Sequence, residues 1–318
     1  MTLTIAHLSD VHLAPVHGLG PGHINLKRAL GFANWTMKRR KVHLRAVVDW
    51  ITADLAGQRT DHIIVSGDLT NLGLPGEHKA ALDWLATVGP PDRVSVVPGN
   101  HDIYCRLWRD PGVERWRAYM TSDTTGAALT NPIERGFPYV RQLGQGNNKI
   151  ALIGLVSAVP TKPFHAGGRL GEPQLAALGS VLGRLGREGM FRLVVIHHPP
   201  LPGQADARRG LEDAERLEAV LQQHGAELIV HGHNHVDMAA QRAWPGGTVR
   251  TVGVASASVG RAYKHEPLGR YNLYRIERNG ADYSIEVVTR GLADITGPVR
   301  EIGRRRLSTA EATAAELR

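Results

Sequence analysis

The chain has 318 residues, 42% of them apolar, with 38 Lys and Arg against 30 Asp and Glu for a formal charge of +8, and a single cysteine, Cys105. That length and apolar content suffice for one large core, and the lone cysteine excludes an intramolecular disulfide, which fits a cytoplasmic protein. No run approaches the roughly 20 uninterrupted apolar residues of a membrane-spanning helix, while the positive balance favours anionic partners without naming one.

Residues 3–8 read as a buried strand, and with Asp10 following directly they leave no room for a signal peptide. A connection of roughly 30 residues then separates His12 from the first predicted helix, 43–56, far longer than the usual handful. It carries Leu30, Phe32, Trp35 and Met37 among Lys27, Arg28 and the basic run 38–41. Further strands are predicted at 63–66, 94–97, 150–155, 193–196 and 228–230, and helices at 77–87, 172–186 and 211–223, which is the alternation of a layered α/β fold. After His235 the pattern changes to successive strands at 249–254, 271–276 and 283–288, read as sheet edge completing the same domain. One domain is expected over 1–301, with a basic and aromatic insert at about 16–41. Residues 302–318, which include Arg304, Arg305 and Arg306, read as a C-terminal tail or surface helix.

Five short motifs fall where predicted strands end: Asp10-Val11-His12, Gly67-Asp68, Gly99-Asn100-His101-Asp102, His197-His198-Pro199-Pro200 and Gly232-His233-Asn234-His235. Their side chains are the oxygen and nitrogen donors that divalent transition metals accept. Asp10 and His12 are two apart in what should be extended chain, so both are expected to leave one face, and His233 and His235 likewise. Glycine before Asp68, Asn100 and His233 removes a side chain where the backbone must pass close to a ligand or turn off a strand.

In this order, from Asp10 to His235, the motifs D-x-H, G-D, G-N-H-D, H-H-P-P and G-H-x-H resemble the signature of the calcineurin-like metallophosphoesterase superfamily. The resemblance implies a four-layer α/β/β/α sandwich of two packed mixed sheets flanked by helices. It also implies two divalent ions (Mn, Fe, Zn or Co), one held by Asp10, His12, Asp68 and His235 and the other by Asp68, Asn100, His197 and His233, with Asp68 bridging and His198 beside the ligands. Two cations about 3.5–4 Å apart generate a bridging hydroxide near neutral pH and clamp the phosphate during in-line displacement. His101 is expected to stabilise the transition state or protonate the departing oxygen, and Asp102 to orient it. The H-H-P-P and G-H-N-H runs resemble those of bacterial phosphodiesterases acting on cyclic nucleotides or glycerophosphodiesters, so a small-molecule phosphodiester is the expected substrate.

Within the insert, Trp35, Lys38, Arg39 and Arg40 are the expected substrate-binding residues. Two readings stand for this stretch: its apolar residues pack on the core and its bases are solvated, or it forms a surface for an amphiphilic anionic substrate or the inner membrane face. The second motivates an alternative function, a UDP-2,3-diacylglucosamine pyrophosphatase of lipid A synthesis, although the best-known branch of those enzymes has arginine where His101 stands here. A non-catalytic scaffold of the same fold is expected to lack ligands, and none is missing. Nucleic acid is not an expected partner, because no DNA-binding addition is evident.

Overall fold

Strands form where the β-branched and aliphatic residues cluster, and the computed structural model, which describes residues 2–107, 110–130, 136–280 and 282–308, assembles them into two six-stranded mixed sheets. The first contains β1 (Thr2–Leu8), β2 (His62–Val65), β3 (Val94–Val96), β10 (Arg270–Asn279), β11 (Asp282–Gly291) and β12 (Arg300–Ser308), in the order β12-β11-β10-β1-β2-β3. The second contains β4 (Tyr139–Leu143), β5 (Ile150–Gly154), β6 (Phe191–Val195), β7 (Leu228–His231), β8 (Met238–Trp244) and β9 (Gly247–Gly253), in the order β4-β5-β6-β7-β9-β8. Strands β1, β2 and β3 are mutually parallel, as are β5, β6, β7 and β9. Each parallel set therefore delivers its C-terminal ends to one edge of its sheet.

Side-chain alternation decides which layer each residue joins. On β6, Leu193 and Val195 enter the cluster that also holds Ile5 and Tyr274 of the first sheet, whereas Val194 belongs to a second cluster with Ile153 and Ile229. That second cluster is closed by α5 (Glu172–Arg187) and α6 (Ala214–His224) through Leu175, Leu178, Leu182, Leu217 and Leu221. The first sheet is covered in the same way by α2 (Arg45–Ala56) and α3 (Pro75–Val88), with Val48, Ile51, Leu55, Trp84 and Leu85 in the core. The four-layer α/β/β/α sandwich is thus present. No helix among the described residues is long and apolar enough to cross a membrane.

The structure corrects the sequence reading in three places. The long connection after His12 is largely helical: α1 (Leu26–Met37) is capped by Asn25, whose side chain accepts from Arg28 N at 2.9 Å, and a 3-10 turn follows at Arg39–Lys41. The strands after His235 do not simply finish an edge, since β8 and β9 extend the second sheet while β10 pairs antiparallel with β1 in the middle of the first. Residues 300–308 are neither tail nor surface helix but the edge strand β12, paired along β11. Its arginines misled because a charge-rich run also suits an exposed edge strand: Arg304 binds Glu286 at 2.8 Å and Glu301 at 2.7 Å, while Leu307 packs against the core. The domain therefore continues past 301; residues 309–318 of the expected tail lie outside the described residues.

Truncation after Val299 is expected to lower stability in urea by several kcal/mol, on the order of one for each ladder hydrogen bond lost. A tail would be removed without effect on the denaturation midpoint.

Candidate metal centre

Asp10 and His12 follow β1, Asp68 follows β2 and Asn100 follows β3, while His197 follows β6 and His233 and His235 follow β7. Strand ends from both sheets thereby meet, and none of these seven residues is more than 9% exposed. The expectation that paired side chains leave one face of an extended segment does not hold. Asp10 (φ 53°), His12 (φ 42°), Asp68 (φ 54°), His233 (φ 72°) and His235 (φ 58°) all adopt left-handed backbone. Such conformations cost about 1–3 kcal/mol each and persist where the surroundings over-determine them. Convergence thus comes from a kink at each residue.

Glycine is required beside two of these kinks. Gly67 has φ 99°, and a Cβ there would lie 2.5 Å from Gly99 N and 2.7 Å from His197 Nδ1. At Gly232 a Cβ would run into Ser9 Oγ and lie 2.5 Å from Asp10 Oδ2.

Two groups of donor atoms result. In the first, His12 Nε2 lies 3.2 Å from His235 Nε2, 3.9 Å from Asp10 Oδ1 and 3.9 Å from Asp68 Oδ2, and His235 Nε2 is 3.1 Å from Asp10 Oδ1. In the second, His197 Nε2 lies 3.2 Å from Asn100 Oδ1, 3.5 Å from Asp68 Oδ2 and 3.3 Å from His233 Nδ1, which is 2.9 Å from Asn100 Oδ1. Tautomers follow from the outer partners, because carbonyl oxygens only accept. His12 Nδ1 donates to Thr70 O at 3.0 Å, His197 Nδ1 donates to Ser66 O at 2.7 Å, and His235 Nδ1 faces a Glu266 carboxylate oxygen at 2.9 Å. Burial, then the Arg39 guanidinium, pushes the His12 pKa well below its ordinary 6.5. Against burial, the Asp10 and Glu266 carboxylates raise the His235 pKa to about 9, so a proton on its Nε2 faces Asp10 Oδ1, in the place an ion would take. Donors held about 2.0–2.2 Å from a zinc-like ion stand about 3–3.5 Å from one another, close to the spacing observed. Asp10 Oδ1 is buried, with His235 Nε2 as its close neighbour. The residues present fit two adjacent ions.

His198 is differently employed: Nδ1 meets Ser157 Oγ at 2.8 Å and Nε2 donates to Ala166 O at 3.0 Å, so neither nitrogen is available to an ion. Asp102 does not orient His101. Its Oδ1 accepts from Thr70 N and its Oδ2 from Gly99 N, both at 2.9 Å, so the carboxylate is saturated by the turns around it. His101 is fixed instead by Asn71 O, to which Nδ1 donates.

Among the insert residues, Arg39 reaches the centre, with Nη1 at 2.8 Å from His101 Nε2 and Nη2 at 2.7 Å from His12 Nε2. Lys38 and Arg40 point to solvent, and Trp35 is half-buried, stacked on Phe32 at 5.9 Å between centroids. Two contributors were not foreseen. His43, buried just before α2, sits 4.8 Å from the His12 ring and 5.3 Å from the His235 ring, with Nδ1 on Ser258 Oγ at 2.9 Å. Glu266 lies in an irregular loop where no periodicity or motif marks it, whereas His43 gave only the signal of a histidine opening a predicted helix.

The profile of the calcineurin-like phosphoesterase family matches residues 3–237, and the chain belongs to that family. It is a metal-dependent phosphoester hydrolase of a class that works with a dinuclear centre. Among named relatives, a probable cyclic nucleotide phosphodiesterase of Synechococcus sp. is 26% identical over 239 residues, 74% of each chain. One of the same description from Rhodococcus erythropolis is 26% identical over 241 residues, 74% of this chain and 66% of the other. A dimetal phosphatase from Danio rerio shares the fold with a TM-score of 0.61 at 14% identity, over 97% of this chain and 99% of that one.

A carboxylate behind a ligating imidazole typically changes metal affinity 10–100-fold. Glu266→Ala is expected to lose that much in a chelator-competition titration, and Glu266→Gln less, since it keeps a hydrogen-bond acceptor for His235 Nδ1. Unaltered affinity in Glu266→Ala would show that the carboxylate does not orient the ring.

Proposed function

We propose that this chain hydrolyses a small-molecule phosphodiester at a centre in which Asp10, His12, Asp68 and His235 hold one divalent ion and Asp68, Asn100, His197 and His233 hold the other. The observation that carries the reading is Asp68 Oδ2, which stands 3.9 Å from His12 Nε2 and 3.5 Å from His197 Nε2, between the two donor groups. That oxygen would serve both donor groups, and divalent ions held there would supply an activated water and positive charge against the phosphate oxygens. The mixed donors suit Mn, Fe, Zn or Co.

The protein's own groups handle the leaving oxygen. Burial and the neighbouring Arg39 guanidinium lower the His101 pKa to about 4, so the free ring is neutral, with its proton on Nδ1 and its lone pair on Nε2. A phosphate anion beside it raises its proton affinity, and the imidazolium then gives that proton to the departing oxygen. Asp102 contributes by holding the turn that carries Asn100 and His101. The diester assignment is supported by the two relatives described as probable cyclic nucleotide phosphodiesterases.

A second reading, an amphiphilic phosphate substrate of the UDP-diacylglucosamine kind, is favoured by one observation. Ile24, Leu26, Leu30 and Met37 are 59%, 70%, 39% and 64% exposed on and beside α1, next to the solvated Lys38, Arg40 and Lys41. A combined Leu26→Ser, Met37→Ser variant is expected to lose sedimentation with phosphatidylglycerol vesicles if that face meets lipid; equal sedimentation of variant and parent would reject it.

The direct test is hydrolysis after reconstitution with Mn, Zn, Fe or Co, comparing bis-p-nitrophenyl phosphate, cyclic AMP, a glycerophosphodiester and UDP-diacylglucosamine in detergent. Metal-dependent diester turnover that Asp68→Ala abolishes, together with loss of both ions by elemental analysis, is the expected result. Full turnover in Asp68→Ala would refute the shared-carboxylate centre.

A further inference from the structure

We propose that His43 is a further ligand of the first ion, which is then surrounded by three imidazoles, those of His12, His43 and His235. The inference rests on the two-ion reading above and adds to it a residue that lies in none of the five motifs.

His43 is placed by contacts that owe nothing to the other histidines. It stands where the insert joins α2, and the backbone there runs against residues 258–260. His43 bridges Val259, Leu44 N donates to Ser258 O at 2.8 Å, and Gly260 N donates to Val42 O at 2.8 Å. Its own N–H donates to Arg39 O at 2.8 Å, at the start of the 3-10 turn. The side chain is enclosed, with only 4% of the residue exposed.

The tautomer follows from the serine behind the ring. Asp10 O, a carbonyl, only accepts, and the Ser258 hydroxyl donates to it at 3.0 Å. Ser258 Oγ therefore accepts from His43 Nδ1–H at 2.9 Å, and the proton stays on that nitrogen. His43 Nε2 is left with its lone pair and makes no hydrogen bond among the described residues. One serine thus sets both the backbone of the ligand Asp10 and the direction of the His43 ring.

Buried polar atoms are seldom left without a partner, and the partner this nitrogen lacks is a cation. Donor atoms of His12, His43 and His235 all lie within 4.8 Å of one another. Arg39 Nη2, at 2.7 Å from His12 Nε2, stands where an ion would bind, and its half-exposed position lets it withdraw to solvent.

A third imidazole makes the two sites differ in kind. The first has three ring nitrogens beside the Asp10 and Asp68 carboxylates, whereas the second has His197, His233, the Asn100 amide and the shared carboxylate. Imidazole suits zinc and iron, while manganese prefers oxygen donors. His43 therefore biases the first site toward zinc or iron and away from manganese.

The test needs no substrate. It compares the parent protein with His43→Ala and His43→Gln by chelator-competition titration with zinc and with manganese, and by proton NMR of the cobalt-loaded forms. A group behind a ligand is worth about 10–100-fold in metal affinity, so removing a ligand itself should cost at least about tenfold. That loss should fall on one of the two zinc ions, leave the other unchanged and be smaller for manganese. In the cobalt-loaded parent each ligating ring keeps one N–H, whose strongly shifted, exchangeable signal reports it. One such signal should lie close to the Ser258 side chain and vanish in both variants. Unchanged zinc affinity, an equal loss at both ions, or no shifted signal near Ser258 would overturn the proposal. Should neither variant fold, the signal in the parent decides alone. A parent that shows the His43 signal yet cleaves no diester would refute the diester reading while upholding the ligand, and a parent that binds no ion would overturn both.

Discussion

Everything at the centre depends on bringing nitrogen and oxygen donor atoms from separate parts of the chain to within about van der Waals contact. His12 Nε2 and His235 Nε2 stand 3.2 Å apart, and Asp10 Oδ1 is 3.1 Å from the second of them. The surrounding structure fixes this arrangement. Carbonyls of Thr70 and Ser66 and the carboxylate of Glu266 engage the outer ring nitrogens, so each Nε2 is turned inward. Left-handed backbone at five of the site residues turns them inward, and glycines at 67 and 232 leave room for the chains that cross behind. The serines at 256 and 258 complete this by donating to Asp10 O at 2.7 and 3.0 Å, which ties the kink after β1 to a distant loop. Rigid polar support of this kind is what holds a metal-binding constellation to its working geometry.

Much of this was legible in the sequence because the donors come in short motifs at strand ends, and hydrophobic alternation located most of those strands. The reason given for their convergence was nonetheless wrong: spacing of two implied a flat ribbon, whereas the backbone bends at Asp10, His12, His233 and His235. Periodicity carries no information about such bends, since they are set by tertiary bonds such as His12 N to Asp68 O at 2.9 Å. Asp102 shows the same limit. Adjacency to His101 suggested partnership, yet backbone N–H groups of Gly99 and Thr70 claim the carboxylate first.

The insert illustrates a different loss. Its composition announced something unusual, but the run 38–41 is uniformly basic, and no local rule separates Arg39 from its neighbours. The 3-10 turn at Arg39–Lys41 makes that distinction by aiming one side chain inward and leaving the others in solvent. Edge strand β12 was missed for a related reason, because an arginine-rich strand and a solvated tail share a composition and differ only in whether a neighbouring strand offers an edge. Glu266 lay beyond reach altogether: its importance exists only through the fold that sets it against a histidine far from it in sequence.

Because Asp10, Asp68 and Asn100 hang from one sheet and His197, His233 and His235 from the other, metal ions bound among them would rivet the two halves of the sandwich together. Binding free energy spent there is also cohesion between sheets, growing with the logarithm of free metal over its dissociation constant. Scarcity of metal in a cell would thus reach this protein twice, first as idle active sites and then as a looser sandwich, more open to proteolysis along the seam where the sheets meet.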